Sequence, residues 1–249
     1  MKSDIYNDRT YLKSNPTGHE EDAGFKVERI ERLLKIHPID FKQACEVGCG
    51  SGAILELMQK NYPENTTWKG YDISEDAISM AKKRENETLT FEIRDITKAE
   101  SKDLNFDVML IIDVIEHIND YFAFLDGIAD KSRYFIFHIP LDMCVWSLLR
   151  EGILIESKKR VGHIHNFSED FIKSILEDHG FHILAQIYTE PVAKVITVKH
   201  RIVTLARKIL FFIFPKFCSK TLGGYSIMVL AEVSKKQEPT VALANSLYL

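Results

Sequence analysis

The sequence predicts an α/β protein built on one doubly wound, largely parallel sheet, and three observations carry that expectation. Short apolar runs alternate with stretches of helical period along residues 44–140, which is the pattern of strands joined by crossover helices. The first apolar run, Ala44–Val47, breaks into a glycine-rich turn, Glu46-Val-Gly-Cys-Gly-Ser-Gly52. The run Phe106–Ile112 (FDVMLII) is apolar on both of its alternating faces, as in a strand covered from two sides.

Each element follows in order. Residues 1–40 read as a helical cap, with Phe25, Ile30, Leu33 and Leu34 at near-helical spacing in Ala23–Lys35. Ala44–Val47 is a strand and Ile54–Asn61 a helix. Thr67–Tyr71 is a strand ending at Asp72. Ser74 caps a helix reaching about Arg84, with Glu75 and Asp76 in its first turn. Leu89–Ile93 and Phe106–Ile112 are strands, Ile118–Ala129 a helix and Tyr134–Ile139 a strand stopped by Pro140. An irregular stretch, 141–167, precedes a helix capped by Ser168 and ended by Gly180. Ile183–Tyr188 and Ser226–Val233 are two further strands, with a basic, apolar segment, 191–225, between them.

Composition bounds the function. The chain has 249 residues, 45% hydrophobic and 27% charged, enough for one large domain or one domain with an added cap. A net charge of -4 argues against a general nucleic-acid binder, whose footprint is basic. The polar start MKSDIYNDRTY lacks the apolar core of a secretory signal, and no apolar run reaches the length of a membrane span. A cytoplasmic protein is therefore expected. Cys45, Cys49, Cys144 and Cys218 form no CxxC pair and read as reduced thiols, with no structural metal expected. Charge is uneven: residues 191–236 carry nine Lys or Arg against the single acid Glu232.

The glycine loop admits two ligands. Glycines let the backbone turn sharply beside a ligand, and the next helix offers its N-terminal N–H groups. Asp72 closes the second strand, where a carboxylate can accept from ribose hydroxyls. Gly48, Gly50 and Ala53 also satisfy the dinucleotide pattern GxGxxG/A. Glu46, two residues before Gly48, would repel a pyrophosphate but suits a cationic ligand bearing an ammonium group.

Together, EVGCGSG, GYDIS, RDI and FDVMLIIDVIEHI resemble the class I S-adenosylmethionine-dependent methyltransferases, in particular the type 11 branch that includes ubiquinone-pathway and sugar methyltransferases. The resemblance spans roughly residues 44–140. It implies a Rossmann-like, doubly wound seven-stranded sheet with an antiparallel last strand, and S-adenosyl-L-methionine as donor, released as S-adenosyl-L-homocysteine. Carried over residue by residue, Glu46, Gly48, Cys49, Gly50 and Gly52 would hold the methionine part and Asp72 the ribose. Ile73 would pack on the adenine, and Asp95 and Ile96 would meet its edge. Asp113, Val114 and His117 would line the donor pocket. Asp95 could instead be a turn residue before Thr97, and His117 a helix cap. Tyr11, in the polar stretch with Asn15, Pro16 and His19, resembles a lid over the donor.

The acceptor side is read from histidines near the carboxyl ends of the strands, since methyl transfer to a hydroxyl profits from a base near neutral pKa. His138 ends the fifth strand, and His163 and His165 stand in GHIHNFS before the next helix. His138 could equally be a satisfied core residue. His163 and His165, two apart in an extended segment, would face the same way and could be a metal pair or solvent-facing groups. Trp146 and Arg150 would wall the acceptor pocket.

These readings divide the chain into a cap or lid (1–40), a methyltransferase domain (41–236, with 141–167 on the acceptor side and a basic amphipathic insertion at 191–225) and a tail (237–249). In the insertion, Val195, Val198, Ile202, Leu205, Ile209 and Phe212 fall on one helical face opposite His200, Thr204, Arg207 and Lys208. The apolar face is expected to dock on the protein or on a second copy in a homodimer, with weak membrane-surface contact as the alternative. The expected activity is methylation of a small molecule, on an oxygen of a sugar or glycan precursor. N- or C-methylation of another metabolite, a nicotinamide-dependent oxidoreductase and a non-catalytic cofactor-binding domain are the alternatives.

Overall fold

The computed structural model describes residues 20–191 and 198–233. Seven strands form one sheet: β1 (Gln43–Val47), β2 (Thr67–Asp72), β3 (Leu89–Ile93), β4 (Phe106–Ile112), β5 (Ser132–Pro140), β6 (Phe181–Thr189) and β7 (Ser226–Val233). Their order is β3-β2-β1-β4-β5-β7-β6. Strands β1 to β5 pair in parallel, and β7 runs antiparallel between β5 and β6. The antiparallel last strand is thus present as expected. The order reverses between β1 and β4, so the loops leaving these two strands part and open a crevice at their carboxyl ends.

The helices are α1 (Glu20–Ile36), α2 (Ala53–Gln59), α3 (Glu75–Ala81), α4 (Tyr121–Ile128), α5 (Val145–Leu149), α6 (Ile153–Val161), α7 (Glu169–Asp178), α8 (Val198–Ile213) and α9 (Pro215–Thr221). Two cores cover the two faces of the sheet. Phe135, Phe137 and Ile139 pack with Phe124 and Leu125 of α4 and Ile172 and Leu176 of α7. Ile136, Val108 and Leu110 point into the other core with Ile30 and Leu33 of α1 and Met58 of α2. The period-two side chains of β4 and β5 are therefore divided between two apolar layers, and this is why neither strand shows a polar face.

Several local expectations are corrected. The helix expected over 118–129 begins only at Tyr121, because Asp120 caps it by accepting from the Ala123 N–H at 3.0 Å. A single 3-10 turn, Ile115–His117, precedes it. The stretch 141–167 contains α5 and α6. Ser168 stands at the N-cap of α7 without a side-chain cap bond. Helix α1 buries Ala23, Val27, Ile30, Leu33 and Leu34, while Phe25 lies beneath the Arg29 guanidinium. That helix is a layer of the fold, joined to the second core. Pro215 ends one helix and opens another, as its fixed φ and missing N–H allow at a first turn.

The largest correction concerns α8, where the part of the expected apolar stripe from Leu205 onward does not dock on the described residues of the chain; Val195 and the side chains of Val198 and Ile202 lie outside the described residues. Leu205 is 60%, Ile209 55% and Phe212 89% exposed. The helix is held instead through Arg207, which donates to the Gly223 carbonyl at 2.7 Å and lies over the Tyr225 ring. Phe211, one turn on, stacks on the same ring at 4.8 Å. A charge-assisted bond to a loop carbonyl plus two ring contacts turns the arginine side inward and leaves the apolar side out. No helix among the described residues is long and apolar enough to cross a membrane.

Candidate active site

The crevice is floored by the loop after β1. Gly48 and Cys49 donate their N–H groups to the Tyr71 carbonyl at 2.8 and 3.1 Å, which binds the loop to the end of β2. Gly48 has φ +70, and a Cβ there would stand 2.7 Å from a Val114 methyl. Gly52 has φ +78, and a Cβ there would enter the Phe91 ring. Both positions need glycine for conformation and for space. Asp72 accepts from Gly50 N–H at 3.0 Å and Ser74 N–H at 2.9 Å, so its carboxylate is fixed over the loop. Burial raises its pKa, and the bonds from Ser74 and Gly50 pull the other way.

Glu46 lies beneath this loop and is 2% exposed. Its Oε2 has no hydrogen-bond partner among the described residues. Burial pushes its carboxyl up to about 8, against the nearby Lys26 ammonium and with the Asp72 charge. A buried acceptor without a donor is costly, and an ammonium group arriving in the crevice would supply one. The glycine cradle and this orphaned carboxylate fit an amino-acid-bearing nucleoside such as S-adenosylmethionine. Ile73, 62% exposed, shares an open groove with Ile93, Arg94 and Asp95, as a wall for an adenine requires. Asp95 also holds the expected turn, accepting from Thr97 N–H at 3.0 Å and Thr97 Oγ1 at 2.6 Å. Ile96 is buried in the first core, so it can meet a ligand only through its backbone.

At the end of β4, Asp113 takes φ +54, a strained value for a residue with a side chain. It accepts from Lys26 Nζ at 2.7 Å and from His138 Nδ1 at 2.5 Å. Burial would raise its carboxyl, but the adjacent His138 and Lys26 hold it well below the usual range. The other nitrogen of His138 meets the Thr189 hydroxyl at 2.9 Å. Both ring nitrogens are thus occupied, and the core reading of His138 replaces the acceptor-base reading.

His163 and His165 separate. His165 Nε2 meets the Ile118 carbonyl at 2.9 Å, with its ring edge-on to Tyr121. His163 sets Nδ1 against Asp142 Oδ2 at 2.5 Å and packs on the His117 ring at 5.1 Å. His117 occupies the 3-10 turn and meets the Gly162 carbonyl through Nδ1 at 3.1 Å, so it is not a helix cap. Trp146 is half exposed, with Arg150 stacked on it. Tyr11, Asn15, Pro16 and His19 lie outside the described residues. Sequence reasoning missed Lys26, Glu116 and Asp142. Glu116 stood inside the quoted DVIEH run, whereas Lys26 and Asp142 reach the site only through folding.

A family model described as a methyltransferase domain matches residues 19–186. The chain belongs to that family. This match decides between the two readings of the glycine loop, and methyl transfer replaces the nicotinamide oxidoreductase. No curated protein matches the methyltransferase. Solved structures similar to it include magnesium protoporphyrin IX methyltransferase of Synechocystis PCC 6803 with bound S-adenosylhomocysteine, 18% identical, TM-score 0.56, covering 87% of this chain and 84% of that one. A Galdieria sulphuraria protein assigned as a sarcosine dimethylglycine methyltransferase is 14% identical, TM-score 0.62, covering 94% and 99%. A Haemonchus contortus phosphoethanolamine N-methyltransferase in complex with S-adenosylhomocysteine is 14% identical, TM-score 0.56, covering 84% and 52%. At these identities the likeness is one of fold.

Proposed function

We propose that this methyltransferase takes its methyl group from S-adenosylmethionine and places it on an oxygen of a small hydroxylated molecule, a sugar or glycan precursor. The observation that carries the donor is the buried Glu46 carboxylate, whose Oε2 lacks a hydrogen-bond partner among the described residues, under a glycine loop already fixed by Asp72. Glu46 would meet the donor's ammonium, the loop N–H groups its carboxylate, and Asp72 its ribose. Bound donor supplies a methyl on a sulfonium, open to in-line displacement, so alignment carries most of the rate. Ile73 and Asp95 would hold the adenine end. The strained Asp113, tied to Lys26 and His138, fixes the wall between donor and acceptor.

The acceptor reading is supported by the polar groups beyond Val114: Glu116, His117, His163 and Asp142 cluster there within a few ångströms. Such a lining suits hydroxyls better than an apolar acceptor. A screen of sugars, nucleotide sugars, phenols and amines for S-adenosylhomocysteine release tests it. Hydroxylated acceptors are expected to give turnover; release with amines alone would overturn the oxygen assignment.

The exposed stripe of α8 bears on where this chemistry takes place. Leu205, Ile209 and Phe212 continue into exposed Phe214 and Phe217, with exposed Lys208 and Lys216 beside them. Residues 191–236 carry net charge +8 against -12 for the rest of the chain. Apolar area framed by cations matches an anionic membrane surface, and we assign the stripe to that surface. Phosphatidylcholine vesicles containing phosphatidylglycerol should sediment the protein at low salt and release it at high salt. The double variant Leu205→Ser, Phe212→Ser should bind less. Failure to bind these vesicles at low salt, or a stable dimer that buries the stripe, would overturn the assignment.

A further inference from the structure

Glu116 is fully buried, and neither of its carboxylate oxygens has a hydrogen-bond partner among the described residues. Its Oε1 lies 3.9 Å from His117 Nε2 and 4.0 Å from His163 Nε2, too far for hydrogen bonds. The three atoms lie within 4.8 Å of one another. Small rotations would bring all three to the about 2.0–2.2 Å of metal coordination.

The surroundings are arranged as in a ligand set. His117 Nδ1 meets the Gly162 carbonyl at 3.1 Å, and His163 Nδ1 meets the Asp142 carboxylate at 2.5 Å. A carbonyl or an ionised carboxylate can only accept, so each Nδ1 donates outward and each Nε2 is the nitrogen turned toward Glu116. Metal-ligating histidines are usually held in this way by outer acceptors. The Glu116 backbone carbonyl accepts from Ile164 N–H at 2.9 Å and His165 N–H at 3.1 Å, which locks the segment carrying His163 against the turn carrying Glu116 and His117.

We infer that Glu116, His117 and His163 bind one divalent first-row transition ion, beside the donor crevice. Two imidazoles and one carboxylate suit such an ion better than calcium or magnesium, which favour oxygen ligands. The ion supplies the positive charge that the buried carboxylate lacks. Three ligands, the number found among the described residues, would leave coordination positions for water or acceptor. The site begins two residues after Val114, which faces the glycine loop, and so lies next to the wall of the donor crevice.

The role of the ion rests on the oxygen-acceptor reading above. A bound ion would acidify an acceptor hydroxyl next to it; the O–H proton would pass to solvent water, the oxygen would form the bond to the methyl carbon, and the methyl–sulfur bond would break with its electron pair left on sulfur. The ion site itself does not rest on that reading.

The test uses the chelator-stripped full chain titrated separately with Mn2+, Co2+ and Zn2+ in calorimetry, with Co2+ absorption reporting the ligand field. One ion per chain is expected, together with a raised melting temperature on loading. Glu116→Gln and His163→Ala should each weaken binding by about tenfold or more, and His182→Ala, at an exposed position of β6, should not. S-adenosylhomocysteine affinity should stay within about threefold of wild type in both site variants, as the donor contacts are elsewhere. If a variant fails to fold, the melting shift of the wild-type protein still decides. Absence of saturable binding by all three ions, or binding unchanged in both site variants, would overturn the inference. Loss of donor affinity in the wild-type protein would instead count against the methyl-donor reading.

Discussion

Asp72→Ala is expected to raise the dissociation constant for S-adenosylhomocysteine by roughly 10- to 100-fold. The substitution removes the acceptor proposed for the ribose hydroxyls, and a hydrogen bond to a charged group contributes about 1.5–3 kcal/mol. It also removes the anchor of the Gly50 and Ser74 N–H groups, so the loop loses part of its preset shape. Asp72→Asn keeps one acceptor and should fall between the two. Calorimetry with folded variants reads this directly, and an Asp72→Ala protein that binds as tightly as wild type would remove Asp72 from the donor site.

The second large effect is a pH dependence carried by Glu46. Burial raises its folded-state pKa from 4.5 to about 8. The folded chain therefore holds a proton that the unfolded chain releases, and stability is present in full below about pH 4.5 and falls as pH rises toward 8. Each pKa unit corresponds to about 1.4 kcal/mol, so this one group can change the melting temperature by several degrees. A ligand ammonium favours the ionised carboxylate, so S-adenosylhomocysteine should bind more tightly as pH rises from 6 to about 8. Glu46→Gln should flatten both profiles. Melting curves of wild type and Glu46→Gln with the same pH dependence would refute the assignment of that dependence to Glu46.

Much of the donor crevice was legible in the sequence because its parts are local. The glycine loop, the strand end at Asp72 and the run through Asp113 and Val114 each lie within a few residues, and their backbone demands appear as residue types. Gly48 and Gly52 adopt the positive φ that their glycines allow. The side proposed for the acceptor was less legible because it is assembled from distant segments. Nothing local to His138 shows that Asp113 and Thr189 occupy its two nitrogens. Nothing in GHIHNFS shows that His163 turns to Asp142 and Glu116 while His165 turns to Tyr121.

By itself the sequence determined the α/β class, the parallel strands and the crevice at their carboxyl ends. Period-two and helical patterns record which faces are buried, and glycines record where the chain must turn. Only the tertiary structure decided what each buried polar group meets. It placed Lys26 of α1 on Asp113, and it left Glu46 Oε2 and both carboxylate oxygens of Glu116 without a hydrogen-bond partner among the described residues. It also turned α8 over. Amphipathic spacing shows that a helix has two faces, but which face docks depends on the neighbours. Here the Gly223 carbonyl and the Tyr225 ring capture Arg207, and that contact, made across the chain, leaves the apolar stripe outward.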